Sequence, residues 1–146
     1  MPEKETIERA RQDKREGKAP STQAGEFVRE EIEHIREGKH GARSTKQAIA
    51  IGLSKARRAG VELPPSENAS KETRDQVARD TRKAKSGRKG TKSAKRSRAT
   101  LRALKKEGHS AASKRALSRQ AHKAAKKRSA ASRSRSAKKA AATRKK

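Results

Sequence analysis

Large apolar side chains are confined to a few short stretches of this chain, and there they recur at helical spacing. Phe27, Val28, Ile32 and Ile35 form one stripe, and Gly38 follows where a C-terminal cap belongs. Ser44 then opens a capping box with Gln47, three residues on. Behind it Ile49, Leu53 and Ala56 share a face, flanked by Ala48 and Ile51. Gly60, Val61 and Pro64 supply the stop. The pattern predicts a helical hairpin, residues 22–37 and 44–59, inside a domain spanning 21–65. Ahead of it, residues 1–20 carry a solvated, mobile helix (3–17) with Thr6 as candidate cap and Gly17 as stop. Only Ile7 and Ala10 of that helix are expected to face a core. Units below ~40 residues rarely fold unaided, so the hairpin is expected to dimerise or to pack on another element.

Beyond Pro64-Pro65 the stripes fade. Residues 66–96 read as a basic flexible linker, with Ser86 to Ser93 as its most linker-like part. Residues 97–128 hold a second, marginal helical hairpin. Leu101 and Leu104 precede Gly108, and Ser110 or Ser113 caps a helix through Lys127 with Ala116, Leu117, Ala121, Ala124 and Ala125 on its inner side. Residues 129–146 read as a disordered basic tail. The fold class is therefore all-α: a small hairpin in the N-terminal half and a largely disordered, partly helical basic C-terminal tail. Two stretches also look alike. Glu37-Gly38 with His40, Ser44 and Ala48-Ile49 parallels Glu107-Gly108 with His109, Ser113 and Ala116-Leu117; chance similarity in so biased a composition is an equal rival.

Charge changes the picture most. Residues 1–67 hold 14 basic and 12 acidic side chains, whereas residues 68–146 hold 29 and 4, and beyond Asp80 the only acid is Glu107. A net charge of +27 on 146 residues calls for a polyanionic partner. Hydrophobic residues are 28% and aromatic ones 1% of the chain, enough for one small packed unit and too little for aromatic stacking on single strands. The absence of cysteine excludes disulfides and thiolate metal sites. With neither a membrane-length apolar run nor a signal-peptide pattern, the expected address is cytoplasmic and nucleoid-associated, with no membrane partner.

The chemistry implied is phosphate binding. At the start of the second hairpin helix, Ser44, Thr45 and Lys46 lie where free backbone N–H groups favour an anion, with Lys39, His40 and Arg43 just before them. Ser113, Lys114 and Arg115 repeat the arrangement. A plain helix cap beside a solvated basic loop explains the same residues equally well. The remaining backbone-binding candidates are Arg88, Lys89, Lys92, Lys95, Arg96, Arg98, Lys123, Lys126, Lys127, Arg128, Arg133, Arg135, Lys138, Lys139, Arg144, Lys145 and Lys146. Ala and Ser between them let the chain approach phosphates closely. Ser132 to Ser136 forms a short Ser/Arg run in which phosphorylation would remove positive charge. No catalytic residues are expected: nucleophile, base and acid lack an apolar scaffold, and Gly87 to Lys92 fails the phosphate-loop spacing. His34, Glu37 and His40 approach one another in sequence, but with a basic loop and no strong third ligand, no metal, cofactor or small-molecule substrate is expected.

Two resemblances follow from these residues. Lys46-Gln47-Ala48-Ile49-Ala50-Ile51-Gly52-Leu53-Ser54 resembles the K-Q-A-I-A-I-A-L-S core of a small uncharacterised bacterial domain covering about residues 25–65. Gly52 stands where that core has Ala, at a cost to the helix of up to ~1 kcal/mol. Residues 82–146 are similar in composition to the Lys/Ala-rich tails of histone H1 and bacterial H1-like proteins, although no winged-helix domain accompanies them. That resemblance implies sequence-independent DNA binding and compaction. The leading expectation is a non-enzymatic protein that neutralises and bridges DNA, preferring DNA over RNA, with a homodimer through the hairpin. The alternatives are an RNA- or ribosome-binding factor with chaperone activity, and a protein-interaction hairpin localised by its tail.

Overall fold

Serine starts most of the helices. In the computed structural model, which describes residues 2–87 and 93–145, helices occur from end to end and no strand is found among the described residues. They are α1 (Lys4–Arg15), α2 (Pro20–Arg36), α3 (Thr45–Arg58), α4 (Lys71–Lys85), α5 (Ala94–Lys105), α6 (Lys114–Lys126) and α7 (Ala130–Arg144), with a 3-10 turn at Ser110–Ala112. Ser44, Ser70, Ser93, Ser113 and Ser129 each accept a hydrogen bond from the backbone N–H three residues ahead, satisfying one orphan donor of α3, α4, α5, α6 and α7. Of the two serines considered for α6, Ser113 is the cap. Gly17, Gly38 and Gly60 follow α1, α2 and α3 at φ of 72°, 76° and 99°, a conformation glycine adopts without strain.

α2 packs along α3, with α1 against α2 and α4 against α3. The core has two parts. Ala10, Ala24, Phe27 and Ala56 form one, covered by Ile7, Leu53, Val61 and Leu63. Ile32, Ile35, Ala42 and Ala48 form the other, and Ala111 and Ala112 of the 3-10 turn complete it, with Val28 and Leu117 packed on top. The α2–α3 pair thus gains its covering surfaces from elsewhere in its own chain.

Three expectations are corrected. Residues 3–17 are not a loose helix: α1 buries Thr6, Ala10 and Asp13, and Thr6 lies inside the helix instead of capping it. Arg9 reaches Glu26 of α2 at 2.9 Å, and the Glu3 backbone N–H donates to the buried Glu30 carboxylate at 2.7 Å. Residues 66–96 are not wholly linker, because α4 docks on α3 through Val77 and Asp80. Asp80, fully buried, accepts hydrogen bonds from Ser54 (2.6 Å), Arg58 (2.8 Å) and Gln76 (3.1 Å). Burial pushes its pKa up, but these three donors and the Arg58 charge outweigh burial and hold it below the usual aspartate range.

The third correction concerns the C-terminal region, which is helical and not disordered. Ala, Lys, Arg and Leu are strong helix formers, and each segment has its own serine cap, so α5, α6 and α7 need little packing to define them. None of the three buries a residue fully. On α6 only Ala116, Leu117 and Gln120 are half-buried, whereas Ala121, Ala124 and Ala125 face solvent. No helix among the described residues is long and apolar enough to cross a membrane.

Candidate nucleic-acid interface

The basic helices meet the core through the end of α5, the turn after it and the first part of α6. The Gly41 backbone N–H donates to the Leu104 carbonyl at 2.9 Å, and that of Ala42 to the Gly108 carbonyl at 3.1 Å. Thr45 Oγ1 donates to the Ala111 carbonyl at 2.7 Å, and Arg36 Nε to the Ala112 carbonyl at 2.9 Å. The two stretches that look alike in sequence, 37–49 and 107–117, therefore meet face to face. Gly41 allows this approach, since a methyl group there would overlap the Glu107 and Gly108 carbonyl oxygens.

This docking re-assigns the proposed anion site at the start of α3. Thr45 is buried and its hydroxyl is committed to Ala111, so it is not free for a phosphate. Ser44 is occupied as the cap for Gln47. The Arg43 backbone N–H donates to Gln47 Oε1 at 2.7 Å, and its guanidinium lies 3.6 Å from Glu107. Lys39 pairs with Glu37 at 3.0 Å and Glu3 at 3.5 Å. Of that group only Lys46 stands exposed without an ion pair among the described residues. The helix start holds the protein together; it does not present an open phosphate cradle.

The basic helices differ. Among the described residues, no ion pair involves a Lys or Arg beyond Arg58. Lys95, Arg96 and Arg98 on α5, Lys114, Arg115, Lys123 and Lys126 on α6, Lys127 and Arg128 in the turn after it, and Arg133, Arg135, Lys138, Lys139 and Arg144 on α7 are all exposed, as is Lys145. Sequence reasoning passed over Arg102, Lys105, Lys106 and Arg119, which are exposed in the same way. Arg88, Lys89, Lys92 and Lys146 lie outside the described residues. Residues 94–145 thus carry nineteen Lys and Arg against one acid, Glu107. No acidic residue occupies the first turn of α5, α6 or α7, so no carboxylate there offsets the positive end of those helix dipoles.

Residues 4–67 match a family of unknown function, DUF6496. The DUF6496 match begins at α1 and ends before α4, so it takes in α1 as well as the α2–α3 pair. It is an uncharacterised small domain, and the basic helices lie outside it. No curated protein and no solved structure is similar to this chain.

Proposed function

We propose that this protein binds duplex DNA by its phosphate backbone, without base readout, and that α5, α6 and α7 are the binding elements. The observation that carries the reading is the segregation of charge. Acids in the N-terminal unit neutralise the cations beside them, whereas the exposed cations of residues 94–145 have one acid among them. Helices of about 12–15 residues, spaced by short turns, offer rows of Lys and Arg that can follow a groove edge. Small Ala and Ser side chains on the remaining faces let the helix axis come close to the phosphates. The chain has no aromatic platform in this region, which favours duplex over single strands. Bridging of two duplexes, as in a nucleoid-associated protein, follows if α5 and the α6–α7 arm engage different segments; a homodimer would add to this without being required for it.

The test is fluorescence anisotropy with duplex DNA, duplex RNA and single strands of equal length across a salt series. Duplex DNA is expected to bind best, with log Kd linear in log salt. Deleting residues 129–146 removes seven cations together with α7, which buries no residue, and should shallow the slope by up to about 6. A slope unchanged by that deletion sinks the reading, and tighter binding to duplex RNA transfers it to RNA.

A further inference from the structure

Five side chains converge where α2 ends, and the proposed DNA binding uses none of them. Glu30, Glu31 and His34 come from α2, His40 from the loop after it, and Glu3 from the residue preceding α1. One ligand atom from each of Glu31, His34 and His40 lies within 4.8 Å of the others, and the same holds for Glu3, Glu30 and His34. In the sequence, Glu37 is the acid that stands between His34 and His40. The fold supplies Glu31 in its place, because positions 31 and 34 share a helix face and His40 folds back over it.

The hydrogen bonding around the cluster is compatible with a ligand set. His40 is buried, and both ring nitrogens face acceptors: Nδ1 is 2.9 Å from the Gly41 carbonyl and Nε2 is 3.0 Å from Glu31 Oε1. A neutral imidazole donates to one of them only. If Nδ1 donates to the carbonyl, as metal-binding histidines commonly do, Nε2 presents a lone pair to a carboxylate, an arrangement that a cation between them stabilises. Glu31, 1% exposed, has its other oxygen held by Lys55 at 2.6 Å. His34 Nε2 faces Glu3 at 3.1 Å and Glu30 at 3.8 Å, leaving Nδ1 as the nitrogen free to ligate. Each of the three ligands thus has an outer partner fixing it. Independently, Glu30 is 3% exposed and one of its oxygens has no hydrogen-bond partner, so a buried carboxylate stands in the cluster without full compensation.

We infer that Glu31, His34 and His40 form a binding site for one divalent metal ion of the zinc class, with Glu3 and Glu30 orienting His34 and adding negative charge. Two imidazoles and a carboxylate suit zinc better than magnesium or calcium, which prefer oxygen alone. The site ties the end of α2 to the loop whose Gly41 and Ala42 hold the basic arm.

The full-length protein, freed of metal with EDTA, would be titrated with zinc against a chromogenic chelator and with cobalt by visible spectroscopy. One equivalent of zinc at micromolar affinity or tighter is expected, together with cobalt d–d absorption. His34→Ala and His40→Ala should weaken binding at least tenfold, and His122→Ala, on the exposed face of α6, should leave it unchanged. Should either ligand variant lose its helical circular dichroism, Glu3→Ala decides. It alters an exposed side chain and should lower affinity on the order of tenfold with the fold intact. Stoichiometric binding that survives His34→Ala in a folded protein, binding lost with His122→Ala, or no binding by the wild type would each overturn the assignment.

Discussion

Gly52 sets helix propensity against packing at one atom. By propensity, Gly52→Ala should stabilise α3 by up to ~1 kcal/mol, since glycine is the costliest ordinary residue in a helix interior. The structure argues the opposite. A Cβ at position 52 would lie 2.7 Å from Val28 Cα and 3.0 Å from both Val28 N and Cγ2. Ordinary carbon contacts are ~3.5–4.0 Å, so the α2–α3 contact would have to open by about 1 Å. The obstacle is backbone, which cannot rotate aside, and both parts of the core border this contact. Overpacking of this kind costs about 1–3 kcal/mol, which offsets the propensity gain and leaves a net loss of up to about 2 kcal/mol. For a unit the size of α1–α4 that lowers Tm by up to roughly 15 °C. Gly25 is the internal control: it too lies within a helix, but it is exposed and a Cβ there meets nothing within 4 Å. Gly25→Ala should raise stability by up to ~1 kcal/mol. Thermal and urea unfolding followed by circular dichroism would measure both. If Gly52→Ala stabilises as Gly25→Ala does, the close α2–α3 approach is wrong.

Gly41→Ala should break the two backbone hydrogen bonds to Leu104 and Gly108 and release the basic arm from the core. Hydrogen exchange would then show lost protection at residues 108–117, while protection of α1 and the α1–α2 contact persists. Asp80→Ala leaves Ser54, Arg58 and Gln76 without their shared acceptor and should cost about 2 kcal/mol, discounted because Arg58 is half exposed; exchange in α4 should rise first. The same contact predicts acid sensitivity. The folded state holds the Asp80 carboxyl below its ordinary 3.8, so its contribution is complete above that pH and is lost as pH falls through the lower folded value. Undocking of α4 that begins well above pH 5 would contradict this assignment. Finally, duplex DNA should slow hydrogen exchange in α5, α6 and α7, because neutralising Lys and Arg in their first turns removes repulsion from the helix dipole.

Local rules carried the helices. Serine caps, glycine stops and the stripe from Phe27 to Ile35 each act within one turn of chain, so α2 and α3 are legible to within a few residues. Composition likewise shows where the charge lies, because an excess of cations over acids needs no fold to be counted. The tail's lack of apolar surface favours disorder, but the strong helix propensity of Ala, Lys and Arg together with the caps Ser93, Ser113 and Ser129 prevails. Other features leave no periodic trace. Ala111 and Ala112 complete the core as residues too small to form a stripe, and Asp80 and Thr45 are buried because several partners converge on them from other helices. The Gly41 contact joins backbone to backbone, which no side chain announces. The cluster of Glu31, His34 and His40 was half visible: the histidines stood out, but their third member is chosen by helix register and by the path of the loop. Sequence alone thus determined that α2 and α3 are helical and that positive charge is concentrated after residue 67, since both follow from neighbours in the chain. Which helices are held, by which small or polar side chains, and which cations remain free is decided by distance in space, because burial and pairing depend on residues far apart in sequence.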